Sequence, residues 1–483
     1  MKNIIVAIGV YVVLAGCNKQ IDEIRPLTKI DQQGELSSVA GVQEVTAGNY
    51  LLLIGNGLGD YSSALESISE SRGNNVTLRQ YAPVSNMTDA FFYRNSSAEQ
   101  LGYSATLYRG AYQIIVGANA ALEGIERLGK NFRTLTEKEK NDLLYAKGEN
   151  IFIRALTYFN LTRIYGKPFY QDAQNSLAVP LKKTSDINDN PRRATVKQIY
   201  DFLIPELQMA AQLMKVPISK TNAFANTGAA WALLSRMYLY MGGTVSSPNA
   251  TYNQLSVLYA DSIINSEKYS LRQGKDYLQM FGDDEDGTLK RLVFNDNREI
   301  IFALNNSIDG IKLGQFYHYD NRSGGGIFKP SSDFVLTLPS GDLRATFLKK
   351  NVNTQTLETT KWLVSNSTFV TRAPEILFRF AEVYLNRAEA NAKLKNFSAC
   401  KADLQLIHVR AGLPASDIEN INNSDLLNAV LKERRVELAF EGQIGYDYFR
   451  NGLPMKRIAA DNNGNEMVIQ PDDPKVVFNI PAF

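Results

Sequence analysis

The sequence predicts a mainly α fold, a scaffold of helix pairs interrupted by one irregular, loop-rich insertion containing short strands. Three observations carry this. Blocks between residues about 100 and 269, and again from 374 to 440, place apolar side chains at three- and four-residue steps. Two of those blocks repeat one aromatic–leucine–small–tyrosine spacing. Between residues about 270 and 371 the periodicity gives way to short β-like runs set among Gly, Asn, Asp and Ser clusters.

Bulk properties bound the function. A chain of 483 residues is long for one compact core, so one large domain or two interleaved parts are expected. Hydrophobic content of 44% and charged content of 21% are ordinary for a globular protein. Lys and Arg total 52 against 50 acidic residues, and there is no long basic run, so nothing argues for nucleic acid as a partner. With 2 His and 2 Cys, a zinc site of those ligands and a histidine-rich catalytic centre are both close to excluded. Aromatic content is lopsided, 24 Tyr and 23 Phe against 2 Trp.

The chain begins MKNIIVAIGVYVVLAGCNKQIDEIRP. Its apolar run, residues 4–15, rises about 18 Å as a helix, short of the roughly 30 Å of a bilayer core. One positive residue, a short apolar run and small residues before a cut describe a secretory signal. Leu14-Ala15-Gly16-Cys17 resembles the lipobox of bacterial lipoproteins. That resemblance implies cleavage before Cys17, acylation of Cys17, a signal peptide over 1–16 and a lipid-anchored tether over 17–38. Several acyl chains, each buried methylene contributing about 0.8 kcal/mol, hold a protein firmly on a membrane. Asp22 and Glu23 loosely resemble the acidic signal that sends such lipoproteins to the cell surface. Cys400 is then left without an intramolecular partner, and no disulfide framework is expected.

The elements follow in order. Residues 108–128 carry an apolar face through Tyr112, Ile115, Ala118 and Leu122. Residues 136–165 form a second helix, opened by a capping box of Thr136 and Glu139. Helices over 196–214 and 224–241 are separated by a turn at Pro217, and a helix over 255–269 follows. The insertion holds β-like runs at 292–294 and 299–304 and the glycine cluster 323–326. Helices resume at Pro374 and run to Phe440 with a break at Gly412-Leu413-Pro414; the last forty residues read as mostly loop.

Three blocks can be laid over the tetratricopeptide pattern. Trp231, Leu234, Ser235 and Tyr238 fit its first helix, as do Tyr158, Leu161, Thr162 and Tyr165. Residues 384–404 keep a small Ala388, then Phe397 and Cys400 at second-helix positions. Small residues let two helices approach, and aromatics fill the gap beside them. Cys400 thereby has a plain role as a small buried residue, and Trp231 reads as a repeat core residue.

Several separated stretches resemble the SusD/RagB family of outer-membrane nutrient-binding lipoproteins. AKGENIFIRALTYFNLTRIYGKPFY (146–170) is similar to the family helix with Arg-Ala, Tyr-Phe and a closing Tyr-Gly before Pro. APEILFRFAEVYLNRAEANAK (373–393) resembles its Arg-x-Ala-Glu-Val-x-Leu-x-x-Ala-Glu-Ala signature. VRAGLP (409–414), LKERRVELAFEG (431–442) and YDYFRNG (446–452) match its C-terminal motifs. Gln443-Ile444-Gly445 stands where the family commonly has an Arg, and the chain stops at Phe483, close behind Ile480-Pro481, which implies a shortened extreme C-terminus.

The resemblance implies a single SusD-like domain over 39–483, with a tetratricopeptide-like scaffold wrapped by the insertion. It implies a lipid-anchored outer-membrane protein, facing the exterior, that captures an oligomeric nutrient and delivers it to a SusC-like TonB-dependent β-barrel as a hinged lid. Glycan is the first reading of the ligand and peptide or glycopeptide the second. A structural or adhesion lipoprotein without a nutrient role is a third.

No chemistry on the ligand is implied, and no cofactor, catalytic residue or metal is expected. The chain lacks a Gly-x-Ser-x-Gly elbow, a His-Glu-x-x-His pair and a phosphate-binding loop. Gly282–Gly287 fails as an EF-hand, because the bidentate position falls on Val293. Glu433 and Glu441 could be set against each other as acid and base, but their helical spacing with Arg434, Arg435 and Glu437 favours ion pairs. Ligand contacts are expected from loop aromatics with Asn and Arg beside them. The candidates are Arg79, Tyr81, Phe92, Tyr93 and Asn95 ahead of the first strong helix, and Tyr317, Tyr319, Asn321, Arg322 and Trp362 in the insertion.

Overall fold

The structure, a computed structural model, describes residues 32–55, 61–79, 86–94, 103–281, 297–305, 313–320, 324–363 and 373–481. The signal peptide, Cys17, the run 292–294 and the acidic loop 282–287 lie outside these residues.

Ser38 opens helix α1 (Val39–Ile54), its hydroxyl accepting from the Gly41 N–H at 3.0 Å. Helices α2 (Tyr61–Ser71), α3 (Tyr103–Gly129) and α4 (Glu137–Tyr165) follow. The expected capping box starts α4: the Thr136 hydroxyl accepts from the Glu139 N–H at 3.3 Å, and the Glu139 carboxylate accepts from the Thr136 N–H at 2.8 Å. Every residue from 148 to 162 is buried, so α4 is wrapped on all sides. The wrapping comes from α1 and α3 and from α5 (Val196–Leu213). Gly148 permits the last of these contacts, because a Cβ there would stand 2.6 Å from Met214 Cγ.

The scaffold continues through α6 (Thr227–Met241), α7 (Ala250–Ile264), α8 (Phe380–Lys393), α9 (Phe397–Arg410) and α10 (Leu426–Glu437). Each long helix from α3 to α9 packs on the next, α7 on α8 included, although the insertion separates that pair in sequence. The mainly α, helix-pair reading therefore holds. Ser235 and Ser256 exchange hydroxyl-to-carbonyl bonds of 3.0 and 2.9 Å where α6 crosses α7. Tyr238 stacks on Tyr259 at 5.7 Å. Ala388 and Cys400 are buried together between α8 and α9, and burial pushes the Cys400 thiol up to about 12, leaving it a small core residue.

The short strands that bear on the site are β1 (Val76–Leu78), β2 (Ile300–Leu304), β3 (Tyr319–Asp320), β4 (Gly324–Gly325), β5 (Phe328–Pro330), β6 (Leu348–Lys350), β7 (Leu357–Thr359) and β8 (Glu375–Arg379). β2 pairs antiparallel with β8 and closes the stem of the insertion. Phe302 and Phe378 meet Phe152 of α4 edge-on at 5.3 and 6.3 Å, which seats that stem on the scaffold. β1, from the N-terminal third, pairs with β5 and draws the two regions together.

Several expectations are corrected. The scaffold does not begin near residue 100, since α1 and α2 already pack on α3. The tether does not reach Ser38: Gln32–Glu35 is helical and Leu36 is buried against Gly124. Helix α7 starts and ends five residues earlier than periodicity suggests, because the Asn249 side chain caps it by accepting from the Tyr252 N–H. Residues 375–379 are a strand and not a helix, paired with the run at the other end of the insertion. The last forty residues contain a helix, Ile444–Arg450, and a hairpin of Met455–Arg457 with Met467–Ile469, both too short to announce a period.

Candidate functional site

The carboxylates of the C-terminal motif lie in the core. Arg410 Nη1 stands 2.7 Å from Glu299, Arg379 Nη1 is 2.6 Å from Glu437, and Arg379 Nε is 2.7 Å from Glu441. Lys361 completes the pairing of Glu441 at 2.7 Å. Glu433 meets Arg344 at 2.5 Å and His408 at 3.0 Å. Burial works against the Glu437 carboxylate, but Arg410, Arg379 and Arg344 outweigh it and hold its pKa well below the usual range. These groups tie α9, α10, β8 and the insertion into one network. Glu433 and Glu441 are committed to buried ion pairs, which gives no support to an acid–base role.

The turn of the same motif is equally constrained. Glu70 of α2 accepts from the Phe440 N–H at 2.9 Å and the Gly442 N–H at 3.1 Å. Gly442 has φ +68, and a Cβ on it would stand 1.8 Å from Glu66 Oε2, so glycine is required.

A different cluster unites the two loop regions singled out in the sequence. Where β1 ends, the Arg79 N–H donates to Ile327 and its guanidinium reaches Glu358, Thr356, Thr354 and the Tyr317 carbonyl. Glu358 lies on β7, in a hairpin with β6 that the sequence reading missed. It accepts from the Tyr319 N–H at 2.9 Å and from Asn351 at 3.0 Å, and is paired with His318 Nδ1 at 2.8 Å. Asn351 also donates to the Tyr319 carbonyl at 3.0 Å. Burial alone would raise the Glu358 pKa. His318, Asn351, the Tyr319 N–H and the Arg79 charge together hold it below the ordinary value. Gly326, at φ +63, sits beneath this junction, where a Cβ would stand 2.9 Å from Tyr319 N and 3.0 Å from Arg79 Nε.

The main chain of Tyr319 is thus fixed on both sides, while its ring stays half-exposed. The side chains of His318, Asn351, Thr354 and Thr356 belong to the polar network that holds this main chain. Phe92 is also half-exposed, with Phe91 edge-on at 5.1 Å and the exposed Arg94 over its ring at 4.8 Å.

Other candidates are used inside the fold. Trp362 is 1% exposed and its indole N–H donates to the Phe440 carbonyl at 2.8 Å. Tyr317, also 1% exposed, packs on Phe328 and Phe440. Tyr93 is 2% exposed, its ring covered by Arg72 at 4.4 Å. Arg79 is 9% exposed and supports the site from below. These four present little or no surface to a ligand. Tyr81, Asn95, Asn321 and Arg322 lie outside the described residues. Trp231, read as a core residue, packs partly buried against the main core and also lines an open groove, with Lys215 Nζ 5.5 Å from the ring centre.

Among the described residues no helix is long and apolar enough to cross a membrane, and no three His, Cys, Asp or Glu side chains stand together as a metal site.

Comparisons with known proteins place these features. Residues 340–481 match a family model described as SusD family, and residues 36–239 match one described as starch-binding associating with outer membrane. A SusD-like protein of Formosa agariphila is 23% identical over 389 residues, 72% of each chain. A SusD superfamily protein from Bacteroides thetaiotaomicron superposes with a TM-score of 0.78 at 24% identity, covering 92% of this chain and 96% of that one. A SusD-like carbohydrate binding protein from Bacteroides vulgatus superposes at 0.73 with 18% identity, over 92% of this chain and 95% of its own. At these identities the superpositions establish the fold.

Proposed function

This chain belongs to the SusD/RagB family, and from that premise we propose that it is a cell-surface lipoprotein, anchored through Cys17, that binds an oligomeric glycan. It delivers that glycan to a SusC-like TonB-dependent barrel and performs no chemistry on it. The starch-binding description of the matched family model and the carbohydrate-binding structural neighbour support glycan over other ligands.

The observation that carries the reading is the setting of Tyr319. Stacking a sugar ring requires an aromatic face held still, with hydrogen-bonding groups beside it. Glu358 and Asn351 hold the Tyr319 backbone, and His318, Thr354 and Thr356 belong to the same polar network. The carboxylates of the C-terminal motif are occupied in ion pairs, which supports binding without hydrolysis.

Affinity gel electrophoresis of protein beginning after Cys17, in gels cast with plant, host and microbial polysaccharides, tests the reading. One polysaccharide class should retard the protein, and Tyr319→Ala should migrate about as fast as in a blank gel, with its melting temperature unchanged. Retardation that survives Tyr319→Ala would remove Tyr319 from the site.

A further inference from the structure

The partly buried Trp231 belongs to a feature that shares no residue with the Tyr319 cluster. The turn after α5, the start of α6 and the segment after α7 enclose an open groove of about 1400 Å³, solvent at its mouth included. Its floor is rigid. Tyr269 donates to the Asn226 side chain at 3.0 Å and lies on Gly228, where a Cβ would stand 2.2 Å from its hydroxyl. Asn226 in turn caps α6 by accepting from the Ala229 N–H.

The groove is one-sided in charge. Lys215, Lys220 and Lys268 line it, and among the described residues no carboxylate does. Glu149 neutralises Lys220 at 2.6 Å, its other oxygen accepting from Tyr50. Lys215 and Lys268 are exposed and make no ion pair among the described residues. The positive end of α6 adds to the same sign. Asn222 lines the groove too, its side-chain oxygen buried and without a hydrogen-bond partner among the described residues. An indole lining the groove and two cations without a carboxylate partner together suit a ring that has apolar C–H faces and a negative charge.

The geometry points to a second saccharide site in this groove, specific for an acidic sugar, with a uronate or sulfated ring on the Trp231 face and its anionic group taken by Lys215 and Lys268. Lys215 rests over the indole when the groove is empty, and the anion draws it off the ring. This site is independent of glycan binding at Tyr319, so either can fail alone.

Tryptophan fluorescence reads the groove directly. Of the two indoles, Trp362 is buried and hydrogen-bonded, so quenching by an added ligand reports on Trp231. Full-length protein without its signal peptide is titrated with oligogalacturonate, with sulfated galactan oligosaccharides, and with neutral galacto-oligosaccharides. The expected result is saturable quenching by one or both acidic probes and none by the neutral one. Trp362→Phe should retain the signal. The exposed double variant Lys215→Ala/Lys268→Ala should bind at least about tenfold more weakly, and about 0.5 M salt should weaken the parent similarly. Absence of saturable quenching by either acidic probe, equal quenching by the neutral probe, or unchanged affinity in the lysine variant would overturn the site.

Discussion

Glu66 and Glu70, one turn apart on α2, are buried beneath the Phe440–Gly442 turn. Burial dominates both: it raises Glu66 from the ordinary 4.5 to about 8 against the opposing pull of Arg163 and Arg236, and Glu70 to about 7. Between pH about 4.5 and 8 the folded chain holds protons that the unfolded chain has released, so this contribution to stability falls as pH rises. Glu66→Gln removes the largest part of that slope. The variant should melt above the parent at pH 8, and its melting temperatures at pH 5 and pH 8 should lie closer together. An unchanged pH dependence would mean that Glu66 is ionised in the fold. Glu437→Gln acts oppositely, leaving Arg379 and Arg410 short of a buried counter-charge. It should cost about 3 kcal/mol or more in denaturant unfolding.

Single residues were also where the sequence was least legible. Tyr317 and Tyr319 are two positions apart, with the same side chain and the same loop-like surroundings. Only the contacts of Phe328, Phe440, Asn351 and Glu358, all distant in sequence, put one in the core and leave the other at the surface. Trp231 misled in the other direction. The repeat spacing marks the inner face of a helix, and Trp231 does pack partly on the core, but it also lines a groove bounded by the turn at Pro217.

At the scale of elements, caps and periodicity were the dependable signals. Thr136 and Glu139 marked the start of α4 to the residue, and Thr136→Ala should destabilise the protein by about 1 kcal/mol. An unaltered chemical-denaturation midpoint would contradict the role of the cap. Ser38 caps α1 in the same way, and that cap was the one legible signal of the helix, whose apolar residues do not keep to one face. The strand β8 had no such signal: its buried run Glu-Ile-Leu-Phe-Arg has no alternation, and it leads straight into a helix. What makes it a strand is β2, about seventy residues earlier in the chain. Gly326 had a visible signal, the glycine cluster, but its reason is the crossing of Arg79 and Tyr319. Gly326→Ala should cost about 1–3 kcal/mol and weaken glycan retardation together with stability, because it displaces the Tyr319 backbone.

At the scale of the molecule, the C-terminal motif is best understood as a tie. Glu433, Glu437 and Glu441 join α10 and the turn after it to β8 and to the insertion that carries Tyr319, so the same residues that mark the family also anchor that insertion. Delivery to a barrel predicts a stable complex: tagged full-length protein, extracted in detergent from cells that encode a neighbouring SusC-like transporter, should bring that barrel with it. Cys17→Ser should release the protein from the membrane fraction. Recovery of the protein without the barrel would contradict the lid mechanism and leave glycan capture standing.

Glycan capture itself is tested most directly by calorimetric titration of the soluble chain with a panel of polysaccharides and peptide mixtures, followed by chromatography of the titrated mixtures. The account predicts heat of binding for one polysaccharide class, none for peptides, and recovery of the polysaccharide uncut. Binding of peptides alone, or the appearance of shortened saccharides, would contradict it.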